Sequence, residues 1–116
     1  MKKTIFIDID GVLIRHTGNL SNQFLNEPEL LPGVLDKLNK WDMDGHKIIL
    51  TTGRKKSMKK KTKKQLAKLG IFYDELIMGL NRGERILIND GKADLDIITA
   101  TAIQIKRNEG LTDVNI

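Results

Sequence analysis

The 116-residue chain has no cysteine, only two prolines and 4% aromatic residues, and none of its apolar runs is long. Without thiols there can be no disulfide and no thiolate metal site, and nothing points to an oxidising compartment. The apolar runs fall well short of the roughly 20 residues that cross a bilayer. The stretch after Met1-Lys2-Lys3 superficially resembles a signal peptide, but it is too short for one and carries Asp8 and Asp10. A cytoplasmic protein with no membrane partner is the expectation. Internal repeats and an interdomain linker are also missing, so one domain over 1–116 with one modest core is expected.

Acidic residues are absent from one segment. Residues 54–68 hold nine basic residues and no acidic one, whereas the rest of the chain has eleven basic against fifteen acidic. The net charge of +5 therefore belongs to one segment of an otherwise mildly acidic protein. On a helix those lysines read first as a solvated face and second as a surface for a phosphate-rich macromolecule.

What is present is a pattern of strands alternating with helices. Thr4–Ile9 is a short apolar run without polar alternation, the signature of a central strand buried on both faces. Lys47–Leu50 repeats it, and Leu76–Met78, Arg85–Ile88 and Ala102–Ile105 are further strand candidates. Between the first two runs, Pro32 starts a helix, Val34, Leu35, Leu38 and Trp41 stripe it, and Gly45 closes it. A second helix is expected over roughly 56–69, with Met58, Thr62, Leu66 and Leu69 inward and Gly70 at its end. The pattern predicts an α/β, Rossmann-like three-layer domain around a parallel sheet of about five strands. The segment at about 12–31 fits neither period and reads as a small irregular flap, with no room for a full cap domain.

Parallel sheets bind ligands beyond the carboxyl ends of their strands, and the polar residues of this chain gather there. Asp8 and Asp10 end the first strand, a costly place for two carboxylates unless they are solvated, paired or bound to a cation. A hard cation such as Mg²⁺ suits such oxygen ligands. Asp8 is then the nucleophile and Asp10 the acid/base, with Gly11 allowing a tight turn. Thr51-Thr52-Gly53 follows the second strand as a phosphate cradle, with Thr52 the preferred hydroxyl and Thr51 the alternative. Asn89-Asp90 follows the fourth strand candidate. Asp90 is expected as a remote metal ligand, and Asp94 as a water-mediated ligand or an orienting group. Arg82, or alternatively Arg85, supplies positive charge to the phosphoryl oxygens. His16 and His46 stand alone; His46 reads as structural or exposed, and His16 lies in the flap.

These residues carry a resemblance. On Asp8-Ile9-Asp10-Gly11-Val12, Thr52-Gly53-Arg54 and Asn89-Asp90 with Asp94, the chain resembles the haloacid dehalogenase (HAD) superfamily. The resemblance implies a Rossmann-like core, Asp8 as the phosphorylated nucleophile, and Mg²⁺ held by Asp8, Asp10 and Asp90. An aspartate two positions after the nucleophile goes with that family's phosphatases. The short uncapped members, some serving cell-surface polysaccharide synthesis, are the most similar in layout. Two departures stand out: Arg82 is the candidate where the family usually has lysine, and Asn89 stands where several relatives have a second aspartate.

The expected function is a Mg²⁺-dependent phosphatase acting on a phosphorylated small molecule such as a sugar phosphate or polysaccharide precursor. An open site also leaves room for a neighbouring subunit of a homo-oligomer as lid. Two alternatives remain: a nucleic-acid end phosphatase recruited by the lysine-rich helix, and a catalytically idle HAD-like binding or scaffold protein.

Overall fold

A computed structural model gives the backbone of residues 1–116 and the side chains of all of them except Leu20, Ser21 and Phe24. Three strands, β1 (Thr4–Asp8), β2 (Lys47–Thr51) and β3 (Glu75–Ile77), form one parallel sheet in the order β1-β2-β3. Parallel neighbours require crossovers. The first passes through a short helix α1 (Leu20–Leu25) and then α2 (Val34–Met43). The second passes through a 3-10 turn at Lys56–Met58 and then α3 (Lys59–Lys68). Among the described residues no helix is long and apolar enough to cross a membrane.

One core holds these elements. Ile7 of β1 and Ile48 and Leu50 of β2 join Val34, Leu38 and Trp41 of α2 and Leu66 of α3. Alternation along the strands explains the choice: Ile7 and Leu50 are register partners and share a face, while Phe6 points to the other one. The flap contributes as well. After Asp10 the chain folds back so that Leu13 and Ile14 are buried, and Ile14 bridges Leu30 before the buried Leu31. Only the middle of the 12–31 segment is an excursion, and it carries α1, capped by the Asn19 side chain accepting from the Asn22 N–H.

Two sequence expectations are corrected here. The sheet has three strands rather than about five, because Arg85–Ile88 and Ala102–Ile105 adopt no regular structure. An apolar run asks for burial but does not name its partner, and this region is occupied by local side-chain bonds that compete with a ladder. Arg85 donates to the carbonyls of Asn81 and Gly83, Asn89 donates to Thr99, and Thr99 donates to Asp90. As a result β1 lies at an edge and is covered on one face only, with Phe6 53% exposed.

The C-terminal turn closes the opposite side of the core. Leu111 is buried and its N–H donates to Pro32 O at 2.8 Å. Gly110 makes this approach possible: φ is +82°, and an added Cβ would sit 2.2 Å from Pro32 O. Gly70, at φ +75°, has open space where its Cβ would be. Gly110→Ala is therefore expected to cost about 2–4 kcal/mol, backbone strain plus clash, against about 1 kcal/mol for Gly70→Ala. Urea unfolding of the two variants measures the difference.

Candidate functional site

β1 and β2 place Asp8 and Thr51 side by side. They are register partners at the carboxyl ends of their strands, so both side chains leave the same face. Asp8 is exposed at its edge, yet the surrounding protein removes enough water to push its carboxyl above the usual aspartate range. Arg85, the Ile9 backbone N–H and His16 oppose that shift, whereas Asp10 adds to it.

Asp10 is held very differently, by a buried arginine. Arg54, 1% exposed, follows β2 and sends its guanidinium under the loop after β1. Nε donates to Asp10 Oδ2 at 2.8 Å and Nη2 to Asp10 Oδ1 at 2.7 Å, a two-point fork. Nη1 donates to Gln65 Oε1 at 2.6 Å and Thr62 Oγ1 at 3.1 Å on α3. The network then reaches the flap. Gln65 Nε2 donates to Gln23 O at 2.9 Å, and Gln23 Nε2 donates to Asp10 Oδ1 at 2.5 Å. Gln23 Oε1 in turn accepts from the N–H and hydroxyl of Thr17. Among the described residues no buried side-chain nitrogen or oxygen lacks a partner. That matters because a buried guanidinium is tolerated only when paired and fully hydrogen-bonded.

The remaining expected residues divide. Thr52 is buried and its hydroxyl accepts the Arg54 N–H at 3.0 Å, so it shapes the turn; Thr51 is the hydroxyl at the open end. Gly53 is exposed beside it. Arg82 is exposed on the loop after β3, and Arg85 is the guanidinium whose field reaches Asp8. Asn89, Asp90 and Asp94 lie exposed in the irregular stretch, and Lys92 pairs with Asp90 at 3.3 Å. Among the described residues no group of three or more His, Asp or Glu is arranged to hold a metal ion. The structure thus brings Asp8, Asp10 and Thr51 together and leaves Asp90 apart. The Asp10 carboxylate is occupied by Arg54, so a hard cation here would rest on the Asp8 carboxylate, whose loss of water its charge would offset.

Sequence reasoning missed Arg54, Thr62, Gln65 and Gln23 as site residues. One signal was available: Arg54 is the single arginine in a segment otherwise basic through eight lysines. Only arginine offers a rigid fork to a carboxylate. The C-terminal arm also bears on this loop. Asn108, at φ 66°, donates its N–H to Gly11 O at 2.8 Å. Its side-chain Oδ1 accepts from the His16 N–H at 2.7 Å, and Nδ2 donates to His16 O at 3.1 Å.

Neither a protein-family model nor a curated protein matches this chain. Solved structures do. A chain of the Pnkp1/Rnl/Hen1 complex superposes with a TM-score of 0.60 at 28% identity, over 74% of this chain and 31% of that one. A chain from the Pnkp1/Rnl/Hen1 RNA repair complex gives 0.59 at 29% identity, over 72% and 28%. The fold is HAD-like. This chain spans under a third of the length of either neighbour. A D,D-heptose 1,7-bisphosphate phosphatase from B. bronchiseptica, complexed with magnesium and phosphate, matches more loosely, with a TM-score of 0.46 at 21% identity over 67% of this chain and 49% of that one.

Two outcomes test the site. Arg54→Ala strands Asp10, Gln65 and Thr62 and is expected to cost about 3–5 kcal/mol in chemical denaturation, with Arg54→Lys recovering only part. Burial holds the Asp8 carboxyl above its ordinary value of 3.8, so its ionisation weakens the folded state. Its contribution is fully present below pH 3.8 and is lost as pH rises through the higher folded value. Asp8→Asn should accordingly be more stable than wild type at pH 7, with the advantage vanishing in acid; an advantage that grows as pH falls contradicts the assignment.

Proposed function

We propose that the chain is a Mg²⁺-dependent phosphatase working through an aspartyl-phosphate at Asp8. The observation that carries this reading is the separation of the two carboxylates. Asp10 is taken up by Arg54, while Asp8 stands at the open strand end beside Thr51 and within the field of Arg85.

In this reading Asp8 attacks phosphorus in line, the bond from phosphorus to the leaving oxygen breaks, and that oxygen takes a proton from Asp10. Water then attacks the aspartyl-phosphate at phosphorus, gives its proton to Asp10, and leaves inorganic phosphate and a free Asp8. Thr51 and the backbone N–H groups around Gly53 hold the phosphoryl oxygens, and Arg85 offsets their charge. Asp10 does acid–base work by exchanging its Gln23 contact for the substrate. Because Gln23 sits on α1, a shift of α1 would free Asp10 Oδ1 of that one contact and leave the Arg54 fork in place. A bound Mg²⁺, held by the Asp8 carboxylate and the Asp10 carbonyl, would neutralise charge on the transferring group.

Asp90 joins the site, in this proposal, when residues 85–88 pair along the open edge of β1. Two features support it. β1 pairs with β2 alone, and Ile86, Leu87 and Ile88, immediately before Asn89-Asp90, are exposed apolar residues. Asp90→Asn is expected to raise the Mg²⁺ concentration for half-maximal turnover about tenfold or more; an unchanged requirement puts Asp90 outside the site.

The substrate is a phosphate monoester. A sugar phosphate or polysaccharide precursor is one class. A nucleic-acid end is the second, and it is favoured by the likeness to chains of an RNA repair complex. Phosphate release should be measured on sugar phosphates, nucleotides and end-phosphorylated oligonucleotides, with and without Mg²⁺. Asp8→Asn is expected to lower it about a thousandfold or more. Wild-type rates in that variant would overturn the mechanism, and no release from any substrate would point to the idle binding protein.

A further inference from the structure

Helix α3 carries its lysines in an arrangement that the fold does not require. Thr62, Gln65 and Leu66 are buried, so at about 100° per residue Lys60 and Lys64 occupy the opposite ridge, flanked by Lys61 and Lys68 on one side and Lys59 and Lys63 on the other. Arg54, the one arginine of this basic segment, is drawn into the interior by Asp10. Lys68 pairs with Glu27; among the described residues Lys59, Lys60, Lys61, Lys63 and Lys64 form no ion pair.

This arrangement costs stability. Lys59 and Lys63, and Lys60 and Lys64, are like charges four apart, each pair unfavourable by about 0.2–0.5 kcal/mol. The first turn holds three lysines and no acidic residue, against the positive end of the helix dipole. A helix serving only as a solvated face would gain from interspersed glutamates. A bound polyanion would remove both penalties.

We propose that the exposed face of α3 docks the phosphodiester backbone of a nucleic-acid strand, whose phosphorylated end is the substrate of the Asp8 site; the second clause rests on the phosphatase reading above. Four observations carry it. The rest of the chain carries more acidic than basic residues, so a polyanion has one place to settle. The apolar side of α3 is buried, which leaves no hydrophobic face to enter a lipid surface. The ten residues of α3 extend about 15 Å, the axial length of about four phosphates of one duplex strand. The helix also begins at the carboxyl end of the sheet that carries Asp8: Lys56 lies against Gly79 just after β3, two strands along from the end of β1.

The test is fluorescence anisotropy of labelled RNA and DNA oligonucleotides with hydroxyl ends, without Mg²⁺, across a salt series. Phosphate release from a small chromogenic monoester is measured in parallel. With about four phosphates neutralised, log affinity should fall against log salt with a slope of about −3. Lys60→Glu/Lys64→Glu is expected to weaken binding at least tenfold and flatten the slope, while its unfolding midpoint holds or rises. Asp8→Asn should keep binding while losing monoester hydrolysis; a wild type that binds but never hydrolyses the monoester sinks the phosphatase reading and leaves the surface standing. Binding that ignores salt or the double substitution overturns the surface. So does capture by vesicles of anionic lipid with none by oligonucleotides.

Discussion

The fork between Arg54 and Asp10 is the contact on which the functional end of the molecule depends. A guanidinium 1% exposed cannot remain charged in the interior without a carboxylate and further acceptors. Asp10, from the loop after β1, and Gln65 and Thr62, both on α3, supply them. The loop after β1, the turn after β2 and helix α3 are thereby fixed to one another, and Gln23 adds the flap. Two consequences follow. The Asp10 carboxylate is drawn inward, which leaves Asp8 as the acid at the open strand end. Thr62 and Gln65 are also drawn inward, which turns the lysines of α3 outward.

Charge is therefore sorted by burial rather than by sequence. Nine basic residues are contiguous in residues 54–68, yet one is a structural cation inside the protein and the others face solvent. The surface pairs do less. Lys68–Glu27 joins the flap to α3, and the bond from Lys68 holds Glu27 below the usual carboxylate range. That pair is solvent-exposed and screened, so the flap is held chiefly by the buried Gln23 and Gln65 contacts.

Much of the fold was legible because local signals and tertiary demands agree. The apolar runs at Thr4–Asp8 and Lys47–Thr51 became strands, the Val34/Leu38/Trp41 stripe faced the core, and Gly45 and Gly70 followed the two long helices. What was not legible depends on partners far away in sequence. Phe6 reads as core, but β1 pairs on one side only and leaves it exposed. Ile86–Ile88 reads as a strand, but no ladder takes it up. Thr52 was the preferred hydroxyl in sequence and Thr51 the alternative; the strand pleat sets Thr51 beside Asp8, while Thr52 is buried against the Arg54 N–H. Arg54 was read as the last residue of the Thr52-Gly53-Arg54 motif without a role of its own, because nothing local says that Asp10 will lie across from it.

The central claim is that Asp8 itself becomes phosphorylated during turnover. Rapid acid quench of the protein with a phosphorylated substrate and Mg²⁺, followed by peptide mass spectrometry, tests it directly. The account predicts a hydroxylamine-sensitive phosphate adduct on the peptide containing Asp8, formed at least as fast as steady-state turnover. Phosphate release with the adduct elsewhere, or with no adduct at any time point, would contradict it.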